Sequence, residues 1–310
     1  MKTISISVPT YNEEDNVLPL YGVLREQLAA LEGRYDYEIV FIDNKSTDGT
    51  REKLLELCQR DARVKAIFNT RNFGQNNSSY YGFLQTTGDC TIAMNADFQD
   101  PPELLPRMVE AWEQGHKMVC MVKTESRENP FSRGLRTIFY KAMHKMSSIE
   151  LLEHFTSFGL YDRDVREAMR ALDDPAPFPR GITAELGFDR VTIPYTQAKR
   201  RAGRSSYGYA ALYDFAMLGV TTYTKAGPRL ATFLGLLVSG ASFVIALIYL
   251  ILKLANWDAY PMGLGALAIG LFFLGGVQLF FLGLLGEYVV NIQRRGMKRP
   301  LVIEERRVNL

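Results

Sequence analysis

Two long uncharged segments near the carboxyl end restrict most strongly what this 310-residue chain can fold into. Residues 230–252 form an uncharged run of 23 residues, and residues 262–286 form one of 25. A helix needs about 20 apolar residues to cross the hydrocarbon core of a bilayer. A buried helical hairpin in a soluble core is the alternative, but two adjacent runs of this length favour a pair of transmembrane helices.

The residues that flank these runs predict their orientation. Trp257 and Tyr260 lie between the runs, as in the aromatic belt of a membrane interface. Basic residues lie before the first run and after the second: Lys225, Arg229, Arg294, Arg295, Lys298 and Arg299. The positive-inside rule then predicts a multi-pass inner-membrane protein whose two ends and preceding domain are cytoplasmic. The first nine residues are too short and polar for a signal peptide.

Composition excludes several classes of protein. The net charge is +2, so the chain as a whole is not a general polyanion binder. The three cysteines, Cys58, Cys90 and Cys120, are odd in number and irregularly spaced. We therefore interpret them as reduced core residues, without a disulfide or metal framework.

The first two thirds of the chain alternate between strand and helix patterns. Strands are predicted at residues 4–8, 37–42, 64–68, 90–94, 118–122 and 191–195, with helices between most of them. This alternation predicts an α/β, Rossmann-like fold with a mostly parallel sheet. Polar clusters follow successive strands, and such clusters meet at one edge of a parallel sheet.

The segment 95–103 carries the clearest chemistry. Asp97 and Gln99 follow a predicted strand, and two oxygen-bearing side chains at this spacing suit Mg²⁺ or Mn²⁺ bridging a diphosphate. Asp100 is predicted to cap a helix that Pro101 and Pro102 open. A plain polar turn is the alternative interpretation.

Four motifs follow the first four predicted strands: Pro9-Thr10-Tyr11-Asn12-Glu13-Glu14, Asp43 with Ser46-Thr47-Asp48-Gly49-Thr50, Arg71-Asn72-Phe73-Gly74, and Ala96-Asp97-Phe98-Gln99-Asp100-Pro101-Pro102-Glu103. Together they resemble the family 2 glycosyltransferases of GT-A fold. With the two apolar runs, the chain is similar to polyprenyl-phosphate glycosyltransferases of the bactoprenol glucosyltransferase and dolichol-phosphate mannose synthase type. The resemblance implies a nucleotide-sugar donor, a divalent metal and inversion at the sugar carbon.

The resemblance also implies roles for individual residues. The donor nucleotide would be held by Pro9, Tyr11, Glu13, Asp43, Asn72, Gly74, Gln75 and Asp97. Asp97 and Gln99 would bind the metal, and the catalytic residues would be Asp97, Arg201 and Arg204.

Cations are expected at the acceptor phosphate, because arginine forks suit phosphate oxygens. The candidates are the cations Lys123, Arg127, Arg136, Arg200, Arg201 and Arg204, together with the hydroxyl of Ser205. A solvated basic face is the alternative for the first three, and nucleic-acid binding competes as a use for the last four. The neighbouring apolar runs and the absence of interleaved aromatics argue against nucleic acid.

Three positions depart from the family pattern. Asn95 and Asn44 stand where aspartates are usual, and Ser157 stands where many members have an acid. A phosphate monoester has a second pKa of about 6, so the attacking oxygen is already largely ionised at neutral pH. We therefore predict an active enzyme that needs no side-chain base.

The predicted layout is a GT-A domain at 1–206, an amphipathic interfacial helix at 207–228, a transmembrane hairpin at 229–290 and a basic cytoplasmic tail at 291–310. An ordinary core helix is the alternative for the second part. The leading function is transfer of a hexose from a UDP-sugar to undecaprenyl phosphate. The expected partners are the UDP-hexose, the polyprenyl phosphate, the membrane and further copies of the chain in a homo-oligomer such as a tetramer, with no nucleic acid. The alternatives are a processive polysaccharide synthase, whose Gln-x-x-Arg-Trp signature is absent, and a catalytically silent membrane scaffold.

Overall fold

One eight-stranded sheet organises the amino-terminal part of the protein. The computed structural model describes residues 1–125, 152, 154–198, 217–224, 226–255, 264–297 and 299–310. The strands are β1 (Lys2–Thr10), β2 (Tyr35–Asp43), β3 (Val64–Asn69), β4 (Cys90–Ala93), β5 (Met118–Glu125), β6 (Phe155–Asp162), β7 (Arg190–Thr196) and β8 (Glu304–Val308). Their order in the sheet is β7-β5-β6-β4-β1-β2-β3-β8.

The centre of the sheet is parallel. Strand β1 pairs in parallel with both β2 and β4, and β2 pairs in parallel with β3. These strands are rich in apolar residues that helices cover on both faces, as parallel sheets require; Ile4, Ile6 and Val8 of β1 are fully buried. The register aligns Thr10 with Asp43. The polar residues that follow the strands therefore meet at one edge, which we call the carboxyl edge.

The helices are α1 (Glu14–Ala29), α2 (Thr50–Arg60), α3 (Gln75–Leu84), α4 (Leu105–Glu113), α5 (Arg163–Leu172), α6 (Pro179–Glu185), α7 (Ala226–Ala255) and α8 (Leu264–Gly296). A 3₁₀ turn, Pro102–Leu104, leads into α4. Helix α4 shows why these segments fold as they do: Leu105, Met108, Val109 and Trp112 recur at helical spacing and are buried. The predicted α/β architecture with a mostly parallel sheet is confirmed.

Two strands were not predicted from the sequence. Strand β6 lies antiparallel between β4 and β5. A Cβ at Gly159 of β6 would lie 2.3 Å from the carbonyl oxygen of Val119, so only glycine allows this close pairing. Strand β8 pairs antiparallel with the outer edge of β3, within the segment predicted to be a tail. Its sequence, Glu-Glu-Arg-Arg-Val, lacks the apolar alternation that identifies strands.

The carboxyl-terminal helices differ from those of the sheet domain. Within the described part of the chain, one segment, Phe273–Gly296 of α8, has the length and hydropathy to cross a membrane. One of the two predicted spans is therefore supported, and the second remains a prediction. Of the predicted interfacial helix, residues 217–223 are helical, and residues 207–216 lie outside the described residues. The predicted domain boundaries remain predictions.

Candidate active site

Six parallel strands end at the carboxyl edge. Strands β1 to β4 end there, and β5 ends at the same edge because β6 is antiparallel to both β4 and β5. Strand β7 is parallel to β5 and ends there as well. The edge therefore carries the segments that follow Thr10, Asp43, Asn69 and Ala93, together with Lys123 near the end of β5. The sequence predicted this convergence, and ligands of open α/β sheets bind at such edges.

The loop after β4 holds Asp97 and Gln99 together. The Asp97 carboxylate accepts a hydrogen bond from the Gln99 backbone N–H at 3.1 Å, and Asp97 is only 5% exposed. Phe98, between them, has a φ of 61°, in the left-handed region that non-glycine residues rarely adopt. A side-chain hydrogen bond across two residues is a common way to stabilise such a turn. The turn therefore fixes the backbone between the two predicted metal ligands.

Asp100 accepts hydrogen bonds from this loop and from β7 instead of capping a helix. The residue directly before the 3₁₀ turn is Pro101, and no side chain caps the turn there, so the predicted capping role of Asp100 is wrong. Its carboxylate instead accepts hydrogen bonds from Asn95 N at 3.0 Å, Asn95 Nδ2 at 2.7 Å and the Tyr195 hydroxyl at 3.2 Å. Burial raises the pKa of Asp100, while the bonds from Asn95 and the charge of Lys123 oppose that rise.

The amide at position 95 has a physical reason in this arrangement. Asn95 Nδ2 donates to the buried Asp100 carboxylate, and Asn95 Oδ1 accepts from Gln75 Nε2 at 3.3 Å. An aspartate here could not donate, and it would bring a second carboxylate beside Asp100. The departure from the usual aspartate is thus matched by the partners that this chain provides.

Asn44 also uses both ends of its amide. Its Nδ2 donates to Asn72 Oδ1 at 2.8 Å, and its Oδ1 accepts from Asn69 Nδ2 at 3.2 Å and from Phe73 N at 2.9 Å. The Gly74 N–H donates to Asn72 Oδ1 at 2.8 Å. The amides therefore connect the loop after β3 to the end of β2. An aspartate at position 44 could still accept from Asn69 and Phe73, but it could not donate to Asn72.

Gly74 and Gln75 lie where α3 begins. Gly74 has a φ of 88°, which requires glycine or a strained residue. Gln75 is the first residue of α3 and contacts the loop after β4 through a hydrogen bond to Asn95. The predicted donor residues Asn72, Gly74 and Gln75 are thus brought together with the loop that carries Asp97.

Asp43 is fully buried at the end of β2. Its carboxylate accepts from Ser46 N at 3.3 and 3.2 Å, and its Oδ2 lies 3.3 Å from Arg51 Nε. Burial raises the pKa of Asp43, and Ser46 and Arg51 oppose that rise. Sequence reasoning missed Arg51, because no local motif connects the first turn of α2 with the end of β2.

The remaining residues that were predicted to bind the donor nucleotide lie at the end of β1 or in the loop that follows it. Pro9 is part of β1, opposite Ile42 of β2. Tyr11 is 37% exposed, so its ring is accessible as a packing surface. The Glu13 N–H donates to Thr50 Oγ1 at 2.8 Å, and a Glu13 carboxylate oxygen accepts from Asn16 Nδ2 at 2.6 Å. The bond to Thr50 holds the loop after β1 against the start of α2, and the bond from Asn16 fixes the Glu13 side chain at the start of α1.

The acceptor side is described only in part. Lys123 pairs with Tyr195 across β5 and β7, and its charge acts on Asp100. Arg127, Arg136, Arg200, Arg201, Arg204 and Ser205 lie outside the described residues. Ser157, near the start of β6, has a φ of 70°, and its carbonyl accepts from the Tyr161 hydroxyl at 3.1 Å.

A metal at this edge would have few protein ligands. Within the described ranges, no three His, Cys, Asp or Glu side chains are grouped to hold an ion. Mg²⁺ and similar hard cations often take only one or two protein oxygens when substrate phosphates supply others. The carboxylate of Asp97 and the amide oxygen of Gln99 fit that donor set.

Comparison with known proteins identifies the family. The family model for glycosyl transferase family 2 matches residues 5–170. A bactoprenol glucosyl transferase from Shigella phage SfX is 33% identical over 96% of this chain and 97% of its own length. A prophage bactoprenol glucosyl transferase homolog from Escherichia coli K12 is 32% identical over 98% of both chains.

Among solved structures, glucosyl-3-phosphoglycerate synthase from Mycobacterium tuberculosis, in complex with Mn²⁺, UDP and phosphoglyceric acid, is similar over 71% of this chain and 77% of that chain. The sequence identity is 17% and the TM-score 0.45. The family model covers most of the sheet domain, and the two relatives match almost from end to end. The chain therefore belongs to glycosyl transferase family 2, whose GT-A type α/β fold the sequence motifs implied.

Proposed function

We propose that this protein transfers a hexose from a UDP-sugar to a polyprenyl phosphate, such as undecaprenyl phosphate, at the cytoplasmic face of the membrane. The observation that carries the proposal is the end-to-end similarity to proteins named bactoprenol glucosyl transferase. Family membership supports the glycosyl transfer, and the relatives' names support the lipid acceptor. The polar carboxyl edge, where six parallel strands end, supports the location of the donor site.

The proposed chemistry uses few protein groups. Asp97 and Gln99 would hold the divalent cation, which when bound neutralises charge on the departing nucleotide diphosphate. The acceptor phosphate is largely ionised at neutral pH, so little proton abstraction is needed. The protein's main tasks are to align the two substrates and to stabilise the leaving group. Lys123 would contribute positive charge on the acceptor side, together with Arg201 and Arg204.

The return of the chain to the sheet supports a two-span hairpin. Strand β8 follows α8 and pairs with β3, so the segments before α7 and after α8 belong to one domain. The two ends of the hairpin also touch, because the Tyr288 hydroxyl donates to the Thr224 carbonyl at 3.2 Å. Near the end of α8, Arg295 lies 3.3 Å from Asp174 of the sheet domain. A single crossing by α8 would separate β8 from β3. We therefore propose that α7 crosses the membrane as well.

Transfer to a defined lipid tests the function. Membranes that contain the protein are incubated with undecaprenyl phosphate and a panel of labelled UDP- and GDP-sugars, and the lipid is extracted. We expect label in the lipid fraction with one or more UDP-hexoses, which also identifies the sugar. No labelled lipid with any donor would contradict the proposal.

A catalytically silent scaffold is the second candidate, favoured by the three departures at Asn44, Asn95 and Ser157. Thermal denaturation of the purified full chain with UDP and Mn²⁺ separates the two. A scaffold without a donor site gains no stability, whereas a ligand that binds only the folded state raises the midpoint according to its concentration and affinity. We expect a rise that requires both UDP and Mn²⁺.

A further inference from the structure

Strand β8 pairs with β3 and lies close to the segment that follows Asp43 of β2. Strand β8 enters the sheet at the carboxyl edge, where Glu304 lies opposite Asn69. Just before it, the Ile303 carbonyl accepts hydrogen bonds from the backbone N–H and hydroxyl of Thr70. At the other end, Asn309 Nδ2 donates to the carbonyls of Cys58 and Val64, each at 2.8 Å. The strand is therefore held along its whole length.

Glu305 of this strand contacts the loop after β2 from two directions. Its Oε2 accepts from Lys45 Nζ at 2.8 Å and from Arg51 Nη2 at 3.0 Å. Lys45 has a φ of 66° and lies two residues after Asp43, and Arg51 is the second residue of α2. One carboxylate thus connects both ends of the segment between β2 and α2.

Arg51 also contacts Asp43, so it lies between Glu305 and the buried Asp43 carboxylate. Its Nε lies 3.3 Å from Asp43 Oδ2, and its guanidinium carbon lies 5.0 Å from the centroid of the Phe68 ring. The Arg51 side chain is 18% exposed and the Asp43 side chain is fully buried. Removing the negative charge of Glu305 would leave the Nη2 side of the guanidinium without its carboxylate and would free Arg51 to change its position relative to Asp43.

We propose that the carboxyl-terminal strand is part of the donor site: Glu305 is a positioning residue that holds Arg51 against Asp43 and thereby sets the affinity for the nucleoside end of the donor. The inference rests on the proposed function, because it takes the loop after β2 to bind that nucleoside. Glu305 touches no substrate in this account. It acts through Arg51, and its removal weakens donor binding while the reacting groups stay in place.

A purely structural role predicts something different. Exposed ion pairs contribute little to stability, so Glu305 as an ordinary surface residue would affect neither stability nor binding appreciably. If Glu305 only secured the strand, its loss would lower the denaturation midpoint and affect donor and acceptor alike. A selective effect on the donor distinguishes the positioning role from both.

Glu305→Gln in the full chain tests the proposal, with Glu304→Gln as the matched control. Glu304 lies in the same strand but pairs with Arg307, three residues away, and not with the loop after β2. The quantities measured are the Kd for UDP with Mn²⁺, the KM for each substrate, kcat and the denaturation midpoint. For Glu305→Gln we expect the UDP Kd and the donor KM to rise about 5-fold, with kcat and the lipid KM within about twofold of wild type.

The control and a second variant complete the test. Glu304→Gln should match wild type in all five quantities, and Glu305→Asp should recover part of the donor affinity because it keeps the charge. Arg51→Lys should reproduce the donor effect even if Glu305→Gln accumulates poorly. Wild-type donor affinity in Glu305→Gln, or in Arg51→Lys if Glu305→Gln does not accumulate, would overturn this inference and leave the proposed function intact. A wild-type protein that binds no nucleotide and transfers no sugar would overturn the proposed function as well.

Discussion

The sheet domain and the carboxyl-terminal helices treat large apolar side chains in opposite ways. In the domain, Ile6 and Phe41 are fully buried, whereas Leu236 of α7 and Leu271 of α8 are 75% and 70% exposed. Water disfavours extended apolar surfaces of this kind, and soluble proteins rarely carry them. The two helices therefore expose apolar surface of the kind that the domain buries, and this difference agrees with the membrane anchor proposed above.

The polar groups of the proposed active site belong to the domain. At the carboxyl edge, amides and carboxylates such as Asn44, Asn95 and Asp100 are fixed by several hydrogen bonds each. The proposed chemistry therefore depends on polar groups of the domain, and the proposed anchoring depends on the apolar surface of the helices. Variants that damage one region and spare the other test whether the two roles are separable.

The largest effect is expected from Asp97→Ala. Loss of the only carboxylate among the two proposed metal ligands should lower transfer to lipid by about 10³-fold, since metal stabilisation of a leaving group accounts for several kcal/mol of the barrier. The amount of protein in the membrane fraction should not change. Glu26→Ala, at an exposed position of α1, is the control and should retain activity. Full transfer by Asp97→Ala would show that the site has been misassigned.

A charge in the outer surface of α8 should have the next largest effect. Leu279 is 69% exposed, and an arginine at the centre of a membrane helix costs about 3 kcal/mol on insertion scales. Leu279→Arg should reduce recovery in the membrane fraction, while the protein that is recovered still binds UDP. Leu172→Arg is the matched control, because Leu172 is 44% exposed in α5 of the domain. Equal recovery of the two variants would contradict the membrane assignment of α8.

A smaller effect is expected when the usual aspartate is introduced at position 95. Asn95→Asp removes the side-chain Nδ2 donor to the buried Asp100 carboxylate and should lower the free energy of unfolding by about 2 kcal/mol. Chemical denaturation of the wild type, both single variants and Asn95→Asp with Asp100→Asn measures the coupling. We expect the double variant to recover part of the loss. If Asn95→Asp is as stable as wild type, the hydrogen bonds of Asp100 do not have the importance given to them here.

The smallest effect is expected at Ser157. Ser157→Ala should leave kcat within about twofold of wild type, because the lipid phosphate needs no base. Steady-state kinetics with saturating lipid phosphate measure it. A loss of several orders of magnitude would show that a side chain at this position takes part in proton transfer.

Local patterns predicted the elements that are governed by local rules. The apolar run at residues 4–8 predicted β1, and the polar residues after it predicted a site at the carboxyl edge. Asp97 and Gln99 were predicted as metal ligands because they follow a buried strand closely, and that role stays a prediction. Burial on both faces imposes an apolar pattern that a single sequence displays.

The features that were missed depend on partners far away in the chain. Tyr195 lies 95 residues from its partner Asp100, and Glu305 lies 254 residues from Arg51. Strand β8 is mostly charged and forms because the edge of β3 is available to pair with it. Instead of the expected cap, Asp100 accepts two hydrogen bonds from nearby Asn95 and one from distant Tyr195. No spacing rule for a helix or strand contains this information.

The most direct test of the proposed reaction is to compare two acceptors that differ only in the phosphate. UDP release from the productive UDP-hexose is measured with undecaprenyl phosphate and with undecaprenol of the same chain length. If an ionised lipid phosphate is the attacking group, UDP release should require undecaprenyl phosphate and should stay at background with undecaprenol. Equal release with the two lipids would contradict the account.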